Sequence, residues 1–350
     1  MTTSETRPIL NSSLSLAGLA AALQLTPREL RTWAFSAQSG DLYARFAIRK
    51  RSGGSRLIVA PKAPLRMIQR RILRLLYQLD IPAGIAHGLT GSRSIVTNAG
   101  IHCRRQFVLN LDLKDFYPSI NFGRVRGALM ARPASLASNV ATVLARLTCF
   151  DDQLPQGAPT SAFLANLVCR RLDRSLLRMA KFYNCTCTRY SDDITVSTRY
   201  TRFPEALAFA VNPPFGTGAV IGESLAHVIE SNGFRINDQK TRLAGKLASQ
   251  RVTGLAVNEK LNVNRRLIRE IRGMIYAWET HGLAAAEQVF VEKYATRHRS
   301  PTRAPPSFKR SLVGKLQFMA MVKGGQDPAY LKLARRCRVL DSSLFPRVAM

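Results

Sequence analysis

Acid is scarce in this chain. Against 52 Lys and Arg it sets only 22 Asp and Glu, giving a formal net charge of +30 and a pI of about 11.0. The excess runs along the whole chain instead of gathering in a tail, which points to a polyanionic partner, most simply nucleic acid. Long apolar runs are also missing. None reaches transmembrane length, and Met1 to Asn11 lack a signal-peptide core, so no membrane attachment is expected and the expected compartment is the cytoplasm. The six cysteines (Cys103, Cys149, Cys169, Cys185, Cys187 and Cys337) show no CxxC spacing, which speaks against a zinc site or a disulfide framework and for reduced thiols. Disorder is excluded by the 46% hydrophobic content, and the length gives room for two or three packed subdomains.

Even so, two acids stand side by side at Asp192 and Asp193. Tyr190-Ser191-Asp192-Asp193 lies between Thr186-Cys187-Thr188-Arg189 and Ile194-Thr195-Val196-Ser197, two β-branched runs that read as short strands joined by a tight turn. Adjacent carboxylates repel, and on its own an Asp-Asp pair is most simply a solvated turn. A third carboxylate in matching company changes that reading. Phe107 to Leu111 is an apolar strand, and Asp112 stands at its end. Two strand ends side by side would gather Asp112, Asp192 and Asp193 around two Mg²⁺ ions roughly 3.5–4 Å apart. Magnesium favours a few carboxylates plus substrate phosphates over a closed protein cage, which suits nucleotide transfer.

These two segments resemble motifs A and C of the reverse transcriptase palm. The order continues with Leu154-Pro155-Gln156-Gly157-Ala158-Pro159-Thr160-Ser161 (motif B), Gly233 to Thr241 (motif D) and Val252-Thr253-Gly254-Leu255 (motif E). Asn98-Ala99 with His102 before motif A, and Val252-Thr253-Gly254 after motif D, resemble the bacterial retron enzymes over a span of about residues 56–261. The resemblance implies an α+β right-hand polymerase with fingers, a palm of antiparallel sheet plus helices, and a helical thumb. It divides the chain into an N-terminal helical segment (1–40), fingers and palm (41–250), and motif E with the thumb (251–350). The implied activity is RNA-directed DNA synthesis from dNTPs, copying part of a cognate structured noncoding RNA into branched, 2′-primed single-copy DNA. An effector protein and a role in antiphage defence come with that family. Two other readings stay open: another bacterial reverse transcriptase (group II intron-like, diversity-generating or abortive-infection type), or an RNA-binding scaffold that restrains an effector.

The resemblance also gives roles. Asp112, Asp192 and Asp193 would hold the metal ions, and Lys240 would protonate or screen the leaving pyrophosphate. Tyr117, five positions after Asp112, would bar a ribose 2′-hydroxyl. Gln156 and Gly157 would line the nucleotide pocket, and Arg49 and Arg56 of the fingers hairpin would meet the triphosphate or, on the other reading, only the template backbone. Beyond Asn262, Arg265, Arg266, Arg269 and Arg272 lie beside Leu267, Ile268, Ile271 and Ile275 as a basic amphipathic helix, the candidate RNA-binding surface. Asp115 reads as a capping residue, and His87 and His102 as structural histidines.

Elsewhere the pattern predicts two helices over 12–35, with a cap at Thr26-Pro27-Arg28-Glu29. A hairpin is expected over 43–60 around Ser52-Gly53-Gly54-Ser55, with Lys50 and Arg51 among its basic flanks. A helix should run from Pro64 to Leu79 with Arg66, Arg70 and Arg74 in one stripe. Two helices broken at Arg132-Pro133 are expected over 122–150, and one from Thr160 onward. Residues 199–222, including Asn212-Pro213-Pro214-Phe215-Gly216, read as a surface insertion and Phe234 to Ile236 as a strand. A basic, Pro-rich loop is expected over 297–310 and a helix over 308–322.

Overall fold

A computed structural model describes residues 10–49, 53–79, 81, 84–211, 217–297 and 307–344. Lys50, Arg51 and Ser52 of the hairpin loop, Asn212 to Gly216, and residues 298–306 of the basic loop lie outside the described residues. The chain divides into two units, residues 1–94 with 107–244, and residues 95–106 with 245–350.

The first unit starts with α1 (Leu16–Ala22) and α2 (Pro27–Ser36). Thr26 and Glu29 close a capping box ahead of α2: the Thr26 amide donates to Glu29 Oε2 at 2.7 Å and the Glu29 amide to Thr26 Oγ1 at 3.2 Å. An antiparallel hairpin follows, β1 (Tyr43–Arg49) with β2 (Ser55–Pro61). The next helix, α3 (Ala63–Leu76), buries Leu65, Ile68, Ile72, Leu75 and Leu76 and leaves Arg66, Arg70 and Arg74 exposed, as the helical spacing requires. The short α4 (Ile95–Gly100) belongs to the second unit.

The next elements are β3 (Phe107–Asp112), α5 (Phe122–Met130), α6 (Ser138–Thr148), α7 (Ser161–Phe182), β4 (Thr186–Tyr190) and β5 (Asp193–Thr198). After these come β6 (Ala208–Ala210), β7 (Ala219–Ile221), α8 (Glu223–Glu230) and β8 (Arg242–Gly245). One sheet runs in the order β4-β5-β3-β8, with β5 antiparallel to both β4 and β3. Its buried residues Leu109, Leu111, Ile194 and Val196 share a core with Leu164, Leu172 and Leu176 of α7. With one side of the sheet carried on that core, chemistry is left to the strand ends.

Two expectations need correction. Residues 199–222 are not simply a surface insertion: β6 and β7 pair, Leu207 and Ala208 are buried, and the Phe203 ring lies 6.2 Å from that of Phe107. Strands of three residues are too short to show alternation, so Pro and Gly dominated the pattern. Residues 234–236 form no ladder strand. Phe234 stacks on Phe116 at 5.8 Å, Ile236 makes one bridge to Leu113, and the strand proper is β8.

In the second unit β9 (Arg251–Val252) and β10 (Leu255–Ala256) form a hairpin whose turn residues, Thr253 and Gly254, both have positive φ (47° and 82°). Such primed turns match the twist of a tight hairpin. The hairpin packs on α4, and Thr253 Oγ1 donates to the Ile95 carbonyl at 3.2 Å. The Asn98-Ala99 segment and Val252-Thr253-Gly254, far apart in sequence, are therefore one substructure. The helices α9 (Arg265–Arg297), α10 (Phe308–Lys323) and α11 (Pro328–Leu340) pack on one another through Ile271, Ile275, Trp278, Phe308, Leu312 and Leu316. Gly282, at φ 76°, breaks α9. All six cysteines are free, and among the described residues no helix is long and apolar enough to cross a membrane.

Candidate active site

The register of β3 against β5 sets the site. Phe107 pairs with Thr198 and each rung follows in turn, so Asp112 ends opposite Asp193. Tyr190 of β4 also pairs with Asp193, leaving only Ser191 and Asp192 for the turn. Ser191 takes φ 58°, a left-handed conformation that lets neighbouring residues of an extended chain share one end of the sheet. Past the last rung the Leu113 amide donates to the Asp192 carbonyl at 3.0 Å, tying the turn to β3. The three aspartates come together.

Their charges interact. Burial, followed by the Asp192 and Asp112 carboxylates, pushes Asp193 up to about 7, against the opposing effect of Lys240. Asp193 is open to solvent on one side, so repulsion is the firmer cause of this rise. Asp192 is also raised, first by burial, with Asp112 adding to it and Lys240 and Ser191 opposing. The counter-charge present is Lys240, whose Nζ donates to Asp112 Oδ1 at 2.7 Å. Asn237 Nδ2 donates to the other oxygen at 3.2 Å, and the Asn237 amide donates to the Asp112 carbonyl at 2.8 Å. Motif D is thus attached to motif A by both backbone and side chain.

Among the described residues no three His, Cys, Asp or Glu side chains close into a ready-made metal cage. The donor set still fits Mg²⁺, which takes one or two carboxylates and completes its octahedron with water and phosphate oxygens. Three mutually repelling carboxylates at an open strand end supply hard oxygen donors and a demand for positive charge.

Tyr117 is half-buried beside this turn: burial raises its pKa, the Ser191 side chain opposes that rise by hydrogen bonding, and the Asp192 charge adds to it. Gln156 is half-buried in the loop before α7. Gly157 has a packing reason. A Cβ there would lie 2.7 Å from Ala60 Cβ and 2.9 Å from the Val59 carbonyl, so glycine lets the motif B loop approach β2.

The structure separates Arg49 from Arg56. Cross-strand partners share a face, and Arg49 pairs with Ser55 while Arg56 pairs with Ile48. Consecutive rungs point to opposite faces, so the two arginines do not converge. Arg56 lies on the face of Ile58 and Ala60, where the Gly157 loop approaches. Arg49 lies on the face of Tyr43 and Arg45, which pack against Phe150.

On α9 the four candidate arginines are exposed but not equivalent. Arg265, Arg269 and Arg272 fall at i, i+4 and i+7, and exposed Tyr276 continues the stripe at i+11. Arg266 is offset and pairs with Glu270 at 3.1 Å; Glu270 also accepts from Lys315 of α10 at 2.7 Å.

Sequence reasoning missed Arg189, which is fully buried under the Asp-Asp turn, and its partners Asp173 and Asn166. The available signal was a charged residue inside a β-branched strand, which requires a partner once buried. Nothing in the sequence pattern marked Asp173, placed amid the basic face of α7, as that partner.

A family profile described as reverse transcriptase (RNA-dependent DNA polymerase) matches residues 48–258. The retron Mx65 reverse transcriptase of Myxococcus xanthus is 39% identical over 253 residues, 67% of this chain and 55% of that one. The retron Mx162 enzyme of the same organism is 35% identical over 288 residues, 75% of this chain and 58% of that one. The retron Ec86 enzyme of Escherichia coli is 30% identical over 275 residues, covering 77% and 78%. This chain therefore spans little more than half the length of the two Myxococcus relatives. A solved telomerase from Candida albicans has a TM-score of 0.45 at 11% identity, over 87% of this chain and 64% of that one, a distance at which the likeness carries no argument. The five motifs, the family match and these relatives agree: the chain belongs to the reverse transcriptases, and within them to the retron type.

Proposed function

We propose that the chain is an RNA-directed DNA polymerase that copies part of a cognate structured noncoding RNA into DNA from dNTPs. The observation that carries the reading is the register that sets Asp112 opposite Asp193, with Asp192 between them and Lys240 on Asp112. We assign fingers and palm to the first unit, and motif E and thumb to the second.

Asp112, Asp192 and Asp193 would hold two Mg²⁺ ions. When bound, these lower the pKa of the primer hydroxyl and neutralise charge on the leaving pyrophosphate. The chain's own residues do the rest. Asn237 orients the Asp112 carboxylate. Lys240, whose side chain is more than half exposed, can swing from Asp112 to deliver a proton or a positive charge to pyrophosphate. Tyr117, braced by the Phe116 ring at 5.3 Å, would exclude a ribose 2′-hydroxyl by the bulk of its ring. Arg56 and Gln156, on the two sides of the contact between Gly157 and Ala60, are the candidates for the triphosphate and the base.

The retron relatives support the finer reading of branched, 2′-primed single-copy DNA, made in the cytoplasm with an effector protein in antiphage defence. Asn98-Ala99 and Val252-Thr253-Gly254, which resemble retron motifs and pack together, favour it over the diversity-generating and abortive-infection types. Phosphate contacts give affinity without selecting one transcript, so a surface for RNA shape or loop bases is needed. The stripe of Arg265, Arg269, Arg272 and Tyr276 offers cations and a ring for stacking.

Sequencing the nucleic acid that copurifies with the protein tests this reading. One short cDNA joined to one structured RNA is the expected product. RNA of a single kind without cDNA would instead support the scaffold reading, and a mixture of cellular transcripts would contradict both.

A further inference from the structure

The guanidinium of Arg189 is wholly enclosed, and its contacts converge on the acidic turn. Its Nε donates to Asp173 Oδ1 at 2.6 Å and its Nη2 to Asp173 Oδ2 at 2.8 Å, a two-pronged pairing with α7. Its Nη1 donates to Asn166 Oδ1 at 3.1 Å and to the Ser191 carbonyl at 3.0 Å. Asn166, also on α7, passes the link on: its Nδ2 donates to the Gly88 carbonyl at 2.9 Å. Backbone bonds join the same loop to the strand, from the Arg189 amide to the Ile85 carbonyl at 2.8 Å and from the His87 amide to the Arg189 carbonyl at 2.7 Å. Gly88 lies hard against the turn. A Cβ at that position would stand 2.6 Å from the Ser191 amide nitrogen and 3.1 Å from the Tyr190 carbonyl carbon.

A buried ion pair is a poor way to gain stability, because an apolar side chain of similar volume usually does as well or better. What the pair supplies here is a rigid fork with a donor left for one backbone carbonyl. That carbonyl belongs to Ser191, the non-glycine residue at positive φ on which the turn depends. We propose that Arg189, fixed by Asp173 and Asn166, is a positioning residue that sets the Ser191 turn, with Gly88 walling its other side, so that Asp192 and Asp193 meet Asp112 in one geometry. The proposal rests on the reading of that turn as half of a polymerase site. Arg189 touches no reacting atom and acts through the turn alone. Lysine, with one point charge and no planar fork, would not substitute.

Four variants of the full chain test it: Asn166→Ala, Gly88→Ala, Arg189→Lys and Arg189→Met. Asn166→Ala and Gly88→Ala leave the ion pair intact and keep the test decisive if the arginine variants fail to fold. Three quantities are read: the thermal unfolding midpoint, amide hydrogen exchange over residues 186–198 and over α6, and Mn²⁺ affinity by electron paramagnetic resonance with the metal alone. Expected for Asn166→Ala, which unpairs buried groups, and for Gly88→Ala, whose Cβ would press on the Ser191 amide, are a lowered midpoint, exchange that quickens at least about tenfold more at the turn than over α6, and weaker Mn²⁺ binding. DNA synthesis should fall about 10- to 100-fold in kcat with the KM for dNTP held. Arg189→Lys, where folded, should resemble Arg189→Met and not the parent chain.

Unchanged exchange and unchanged Mn²⁺ affinity in Asn166→Ala and Gly88→Ala would overturn the proposal. So would exchange that quickens equally over α6 and the turn, which would make these residues merely structural. If the parent chain makes no DNA at all, the polymerase reading fails, while exchange and Mn²⁺ binding still judge whether the clamp sets the turn.

Discussion

The Lys240 ammonium sits 2.7 Å from Asp112 Oδ1, while Asn237 holds the other oxygen of the same carboxylate. The Lys240 side chain is 56% exposed, so the pair contributes little to folding and its lysine end is free to move. Lys240→Ala should therefore leave the unfolding midpoint unchanged while slowing single-turnover nucleotide addition on the order of 100-fold. Lys240→Arg, which keeps the charge but donates a proton poorly, should fall near the alanine variant if proton delivery matters, and near wild type if screening alone does. A loss of stability matching the loss of rate would show that the lysine serves the fold.

Removing the Tyr117 ring should open sugar selection. Tyr117→Val is expected to lower the preference for dATP over ATP by about 10- to 100-fold, the range one steric contact can supply. Steady-state incorporation of the two nucleotides gives the ratio. An unchanged ratio would place the gate on another residue.

His87 is buried next to the turn, and burial first, then the Arg93 charge, lowers its pKa to about 4. A histidine whose folded pKa lies below its unfolded value of 6.5 leaves the unfolded chain binding more protons between those two values. Stability is then full above pH 6.5 and lost as the pH falls toward 4. Between pH 8 and 5.5 the wild type should lose about 1 kcal/mol more than His87→Gln. Chemical unfolding of both proteins at both pH values measures the difference, and equal losses would remove His87 as the cause.

Much of the palm was legible because its signals are local. Asp112 at the end of an apolar run, and two acids between β-branched runs, specify strand ends and a turn without knowledge of the partner strand. The capping box at Thr26 and the stripe of α3 were readable for the same reason. What the sequence hid depends on register and distance. Arg49 and Arg56 look equivalent along the chain, and only the pairing of β1 with β2 puts them on opposite faces. Gly157 reads as part of a nucleotide loop until Ala60 is found against it. Arg189 and Asp173 are 16 residues apart on a strand and a helix, with no periodicity linking them.

The exposed stripe on α9 makes a distinction that Arg266, already paired with Glu270, does not share. Replacing Arg269 and Arg272 together with Ala should impair use of the native RNA far more than extension of a generic primer–template. Arg266→Ala should affect neither to a comparable degree. Parallel assays at fixed salt are required, because phosphate contacts alone make any affinity strongly salt-dependent. Equal losses on both substrates would mean that this face only grips a duplex backbone.

Asp192→Asn bears most directly on the central claim. Asn keeps the shape of the side chain and removes one charge from the set formed with Asp112 and Asp193. The quantity to measure is Mg²⁺-dependent DNA synthesis on an RNA template, alongside RNA binding and the unfolding midpoint. Synthesis should drop by at least about 1,000-fold, roughly 4 kcal/mol of barrier, while binding and stability hold. Near wild-type synthesis by this variant would contradict the assignment of the three aspartates as the polymerase centre.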